Sequence, residues 1–354
     1  MISIISFLIV ITICVISHEA GHFFVAKIFD IYVHEFSFGM GHLLWSKKGK
    51  ETQYSIRAYP IGGYVKLEGE DRDEEDDENS EKIADDVVNV PPERSFANKT
   101  PLQRICVLAA GATVNIFLAW LLMSFFLFAH GTYNFKSTVV GDVMDGSPAM
   151  EIGIVKGDKI LSINGKQLHV WSDIYKNMNE NIPANSIYEV SFEHNSKILT
   201  KQVKVVEKSG RRLLGISVSY LRYSFLRSCK TSLSFAFEGT KEILTGIYKM
   251  ITRKIKADVA GPVGIATMAG DAFSSGFWSF VAFIAMINLN LGIFNLLPFP
   301  ALDGGRILFI LPEMITGKKL PAKYENTINL IGFVLLILLV IWVTGFDIYK
   351  LFLK

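Results

Sequence analysis

The sequence predicts a polytopic α-helical membrane protein of about four transmembrane helices, with one β-rich domain inserted between the second helix and the third. Three observations carry this. Half of the 354 residues are hydrophobic, and mean hydropathy is +0.32. Four runs approach the roughly 20 apolar residues that a helix needs to cross a bilayer. Between the second run and the third lies a long stretch in which apolar and polar residues alternate between turn signals. The net charge of +2 is close to neutral, so the expected surroundings are a lipid bilayer and no nucleic acid partner is implied. Cys14, Cys106 and Cys229 form no disulfide or metal pattern, and two of them lie inside apolar runs.

The first run, residues 2–24, contains no Asp, Glu, Lys or Arg before Glu19. It lacks a basic leader and a small-residue cleavage site, so it reads as a membrane helix and not as a removed signal peptide. The second run is 105–129, the third 277–302 and the fourth 327–346. Lys27, Lys99, Arg104, Arg306, Lys318, Lys319 and Lys323 gather at one set of run ends. By the positive-inside rule that side is the cytoplasm, which puts both termini and the region 131–276 outside. The expected organisation is residues 1–130 with the first two helices and their loop, 131–210 as the β-rich domain, 211–276 as a connection, and 277–354 with the last two helices.

In the first connection, short alternating stretches flank "KKGK" and predict a small β-hairpin. Gly39, Gly41, Gly62 and Gly63 mark bends or close approaches. The acidic segment 68–86 reads as a solvated linker, or as a contact for a basic partner. In the inserted region, "GSPAMEIGI" starts a helix with Pro148 in its first turn. "GDKILSINGKQL" is a strand ending at Asn164-Gly165, a hairpin signal. "SIYEVSFEH" and "ILTKQVKVV" alternate, and "WSDIYKNMN" between the hairpin and these strands reads as a short helix. Residues 220–256 carry Arg222, Tyr223, Arg227, Lys230, Phe235, Phe237, Tyr248 and Lys249 at helical spacing. An amphipathic helix on the membrane surface would show this pattern, and so would one packed on the protein's own spans.

The end of the first run reads "ISHEAGHFF". His18 and His22 lie four residues apart, on one face of a helix. Both imidazoles can therefore reach one Zn²⁺ at about 2.0–2.1 Å. Glu19, turned aside, is placed to take a proton from water that the metal has acidified. Ionisable groups at membrane depth are costly and are functional by default. A catalytic zinc normally has three protein ligands and one open position. His34 and His42 lie in the first connection and are within reach of a bent loop. Asp303, in "NLLPFPALDGG", is the better candidate: Pro298 and Pro300 break the third run, and Gly304-Gly305 would permit a tight turn. At 1.5 Å per residue, His18 lies roughly 25 Å into a core about 30 Å thick. Asp303, at the far end of the third run, comes to a comparable depth.

These residues resemble the site-2 protease family of intramembrane zinc metalloproteases, and most closely its bacterial branch of the regulator-of-sigma-E type. "HEAGH", "FSFGMG", "YPIGGYVKLEGE", "AAGATVNIFLAW", "VAGPVGIA" and "NLLPFPALDGGR" occur in the family's order along nearly the whole chain. The resemblance implies that His18, His22 and Asp303 bind Zn²⁺ and that Glu19 is the catalytic base. It implies a substrate-holding role for Asn295, with Asn115 either facing the site or packing. The hairpin and the stretch containing Gly62 and Gly63 resemble a re-entrant β element whose edge pairs with an unwound substrate strand. The inserted domain resembles an extracytoplasmic PDZ domain, a size filter or a dock for peptide termini. The implied substrates are pre-trimmed single-span membrane proteins such as anti-sigma factors or signal-peptide remnants, cut in a bacterial inner membrane. A membrane scaffold with an inactive site and a zinc transporter are the alternatives. Transporters usually show duplicated span patterns, which are not evident here.

Overall fold

The structure is a computed structural model that describes residues 2–70, 90–179, 187–208, 211–254 and 260–352. The acidic segment expected at 68–86 lies, past Glu70, outside the described residues. Two compact units divide the chain: Met1–Phe126 with Ser228–Lys354, and Leu127–Arg227.

Helix α1 (Ile2–Ile28) buries Ser6, Val10, Cys14, Gly21 and Ala26, mostly small residues that let neighbouring helices approach closely. Strands β1 (Val33–Lys48) and β2 (Gln53–Leu67) follow. The expected hairpin is present, with Leu43 opposite Arg57 and Lys48 opposite Gln53. The pair is also more elaborate than predicted. The early part of β1 lies between two parts of β2, so that Phe36 pairs with Tyr54 and also with Val65. The segments thus run in the order 43–48, 53–57, 35–38, 63–67. Gly39 at φ 86° and Gly62 at φ 94° make the bends, in a region of backbone space open mainly to glycine. Glu35 ties the sheet together: Arg57 Nη2 lies 2.9 Å from its Oε1, the Tyr64 hydroxyl donates to its Oε2 at 2.7 Å, and Ser55 also donates to it.

Helix α2 (Pro101–Ala129) begins with a reciprocal cap. Thr100 Oγ1 accepts from Gln103 N at 3.3 Å, and Gln103 Oε1 accepts from Thr100 N at 3.0 Å, which satisfies two amides that the helix leaves unpaired.

The inserted unit contains β3 (Thr132–Tyr133), β4 (Val140–Val143), α3 (Pro148–Glu151), β5 (Lys159–Ile163), β6 (Lys166–Gln167), α4 (Trp171–Asn179), β7 (Ile187–His194), β8 (Lys197–Lys204), β9 (Val206–Lys208), β10 (Arg211–Leu213), β11 (Ile216–Val218) and β12 (Tyr220–Leu221). Strands β6-β5-β7-β8 form a four-stranded sheet, with Asn164-Gly165 turning β5 into β6. Trp171, Ile174 and Met178 of α4 are buried in one cluster with Ile160, Ile163, Tyr188, Val190 and Phe192. The unit reaches beyond the expected 131–210 because β11 pairs back to β4 and β12 to β3. These late strands have only two or three residues, too few to show alternation in sequence.

Helix α5 (Phe225–Ile251) has two different faces. Within the first unit, Trp120 Nε1–H donates to Cys229 O at 3.1 Å, Ser124 and Ser232 hydroxyls meet at 2.5 Å, and Ala236 packs with Ala119, Leu289 and Ile293. Leu233, Phe237 and Tyr248 face outward. Helix α6 (Pro262–Ser274) starts against the last helix, α9 (Ala322–Phe352), whose Asp347 Oδ2 accepts from Gly264 N at 2.7 Å, a carboxylate at the positive end of a helix.

The third apolar run is not one helix. Helix α7 covers Phe277–Asn295 and stops there. Residues 296–302 turn irregularly, and Ala301 sits at φ 71° with its N–H donating to Asn329 Oδ1 at 3.2 Å. Helix α8 (Asp303–Thr316) and helix α9 (Ala322–Phe352) follow. Gly304 and Gly305 therefore do not form the expected turn. They lie in the first turn of α8, and a Cβ on either would overlap the carbonyls of the turn before it. Glycine at 304 and 305 permits close packing, while the strained conformation falls on Ala301. Among the described residues, four helices, α1, α2, α7 and α9, are long and apolar enough to cross a membrane.

Candidate metal centre

Helix α1 brings His18 Nε2 within 3.2 Å of His22 Nε2, with the two rings edge to face. His22 Nδ1 lies 2.8 Å from the carbonyl of Val107 on α2. A carbonyl only accepts, so Nδ1 carries the ring proton and Nε2 keeps its lone pair free for a metal. Gly111 lets α2 come this close. A Cβ at position 111 would overlap the His22 ring and stand 2.8 Å from His18 Cε1.

Asp303 is the first residue of α8. Its Oδ2 lies 3.1 Å from His18 Nε2 and 3.5 Å from His22 Nε2. Among the described residues, His18, His22 and Asp303 are the one group of three or more such side chains able to hold a metal ion. The three separations, 3.2, 3.1 and 3.5 Å, can be compared with a tetrahedral zinc shell. Bonds of about 2.0–2.1 Å imply ligand-to-ligand edges of roughly 3.3–3.4 Å. Asp303 Oδ2 is buried and, despite these short approaches, makes no hydrogen bond. An unpaired buried carboxylate oxygen costs free energy, and a cation on it removes that cost. The donor set fits zinc.

Glu19, His18, His22 and Asp303 line one cavity of about 190 Å³ together with Gly63, Tyr64, Val65, Glu70 and Arg306. Gly63 is pressed against α1: a Cβ there would stand 3.1 Å from Glu19 Cγ. Gly62, the bend next to it, packs toward Met40 and does not line this cavity. Asn295, the last residue of α7, places its Nδ2 3.5 Å from the His18 ring nitrogens. Asn115 on α2 is fully buried, with Nδ2 3.4 Å from His18 Nδ1. The alternative ligands do not converge on the site. His34 pairs with Glu68 at 2.6 Å, and His42 is exposed.

Sequence reading missed several residues. The Arg306–Glu70 ion pair closes one wall of the cavity; nothing in the local pattern pairs a residue of α8 with one just after β2. The Val107 carbonyl is backbone and leaves no side-chain signal. Asn288 was findable as another amide in the same apolar run as Asn295.

A zinc-type donor set built from two turns of one membrane-length helix and the start of a distant one, with Glu19 beside it, makes a metal centre suited to hydrolysis among apolar helices. The comparisons agree. The model of Peptidase family M50 matches residues 6–339. A Clostridium perfringens protein named as a zinc metalloprotease is 38% identical over 343 residues, covering 94% of this chain and 95% of its own. Zinc metalloprotease RasP of Geobacillus kaustophilus is 32% identical, covering 99% of each chain. The regulator of sigma-W protease RasP of Bacillus subtilis is 29% identical over 99% of each. The solved PDZ domain of the SdrC-like protein Lmo2051 from Listeria monocytogenes is 19% identical, covering 25% of this chain and 92% of that one, with a TM-score of 0.22, too low to carry the fold by itself. The chain belongs to peptidase family M50, the site-2 protease family of zinc metalloproteases.

Proposed function

We propose that this protein cuts pre-trimmed single-span membrane proteins within or near their membrane segment, as in regulated intramembrane proteolysis of anti-sigma factors or signal-peptide remnants. The observation that carries this reading is the meeting of His18, His22 and Asp303 donor atoms at zinc-shell separations among membrane-length helices.

His18, His22 and Asp303 would hold the zinc. When bound, it supplies a Lewis acid that polarises a carbonyl and acidifies water. Glu19 accepts the proton of the attacking water and passes it to the leaving amide nitrogen, which must be protonated to depart. Asn295 steadies the substrate beside His18. The edge segment 63–67, held against Glu19 through Gly63, pairs with a substrate stretch unwound from its helix. Unwinding is needed because a helix hides its peptide bonds within its own hydrogen bonds. The β element is re-entrant in this reading, since irregular backbone at membrane depth is tolerated where it lines a cavity. The inserted unit is a PDZ-like domain outside a bacterial inner membrane, where it filters substrates by size or holds their termini.

Glu19→Gln keeps the donor set and removes the base. Purified protein should then hold zinc at the parental stoichiometry and fail to cut a single-span substrate. Single-span fragments should accumulate in membranes carrying the variant. Undiminished cleavage would refute the assignment of Glu19, and active protein without zinc would refute the site.

A further inference from the structure

Behind His18, on the side away from Asp303, three polar side chains meet in an otherwise apolar interior. Ser17 Oγ lies 2.7 Å from Asn115 Oδ1, 3.3 Å from Asn288 Oδ1 and 3.0 Å from the Cys14 carbonyl. Asn115 and Asn288 are fully buried. Such groups are expensive in a membrane interior unless every donor finds an acceptor, so their protons can be counted.

Asn288 is fixed first. Its Nδ2 donates to the Ile284 carbonyl at 2.9 Å, which leaves Oδ1 facing Ser17. Ser17 has one proton and two buried amide oxygens beside it, besides the Cys14 carbonyl that the helix already serves, so at least one amide oxygen goes unserved. His18 adds the opposite demand. With Nε2 given to a metal, Nδ1 carries the ring's one proton and needs an acceptor. The groups nearest Nδ1 are the amide nitrogens of Asn115 at 3.4 Å and Asn295 at 3.5 Å, and a nitrogen donor cannot serve it. A half-turn of the Asn115 amide meets both demands together. Oδ1 then accepts from His18 Nδ1–H, Nδ2 donates to Ser17 Oγ, and Ser17 donates its proton to Asn288 Oδ1 or the Cys14 carbonyl. The same turn at Asn295 would leave Ser17 oversubscribed.

We propose that Asn115, backed by Ser17 and Asn288, is a positioning residue: it accepts the His18 Nδ1 proton and so aims the Nε2 lone pair at the metal. Val107 does this for His22 through a backbone carbonyl, and the Asn115–Ser17–Asn288 relay does it for His18 through side chains. The assignment rests on the zinc reading above and moves Asn115 from the substrate's side to the ligand's.

The test is zinc affinity of the purified full-length protein, by competition with a chelator, with thermal unfolding of the metal-free form as a check of folding. Asn115→Leu should weaken zinc binding roughly 10- to 100-fold, the usual effect of losing such a partner. Asn115→Asp keeps an oxygen toward His18 and should bind zinc close to the parent. Ser17→Ala, which removes the support for the amide, should weaken it about tenfold or less. If the leucine variant does not fold, the other two carry the test. Parental affinity in Ser17→Ala, or a loss in Asn115→Asp greater than in Ser17→Ala, overturns the proposal: an aspartate lacks the amide protons that the opposite orientation would need. Absence of zinc from the parent protein overturns the zinc reading instead.

Discussion

At the scale of single residues, the centre depends on side chains that are missing as much as on those present. Gly111 leaves the space that the His18 and His22 rings fill. Gly111→Ala should therefore cut zinc content sharply while the helices remain folded, which metal analysis beside circular dichroism would read. Alanine is otherwise a good helix residue, so a fall in helicity with zinc retained would contradict this account. Glu35 gives a second prediction. Burial alone would raise its pKa, but hydrogen bonds from Ser55, Tyr64 and Arg57 outweigh burial and hold the carboxyl below its ordinary range. The Tyr64 phenol, buried against that carboxylate, is pushed up to about 12. A lowered folded pKa means stability that is present above the unfolded value of about 4.3 and lost as pH falls toward the folded one. Amides of β1 and β2 should lose exchange protection as pH drops below about 4, and Glu35→Gln should flatten that dependence. His18, Glu19, His22 and Asp303 were legible because their chemistry is written in short local patterns. Gly111, Val107 and Ser17 were not, because each matters only through a neighbour far away in the chain.

Among the elements, the third apolar run shows what hydropathy can and cannot tell. Residues 277–302 read as one membrane helix because composition reports burial and not backbone path. The prolines promised a break, but not its position at Asn295 or the fresh helix beginning at Asp303. The small sheet was half legible: "KKGK" marked the hairpin, while the return of 35–38 between two parts of β2 is a tertiary pairing with no local signature. The joint between α2 and α8 is an ion pair, Arg104 to Glu313 at 2.5 Å, with side chains 6% and 11% exposed. Removing one partner strands the other charge, a cost of about 3–5 kcal/mol, whereas replacing both with apolar residues can be nearly neutral. Arg104→Leu should lower the thermal midpoint in detergent markedly, and adding Glu313→Leu should restore most of it. Equal loss in the double variant would show that the two charges act separately.

For the whole molecule, all three proposed ligand residues, His18, His22 and Asp303, belong to one unit, and the inserted unit supplies none of them. The two ends of the inserted unit pair with each other, Thr132 with Leu221 and Tyr133 with Tyr220. Replacing the residues between the end of α2 and the start of α5 with a short flexible linker should leave zinc at the parental stoichiometry, as read by metal analysis. Loss of zinc would mean that the inserted unit is needed to hold the metal centre. Substrate selection, in contrast, should change in the excised protein, if the inserted unit filters what is cut.

The proposed metal centre draws two ligands from the first helix and the third from beyond the inserted unit. A ribosome must therefore have passed Asp303 before any ion can be gripped by all three. A nascent chain that stops short of Asp303 is inert by construction, so hydrolytic power arrives in the membrane only after the segments on both sides of the insertion have been made.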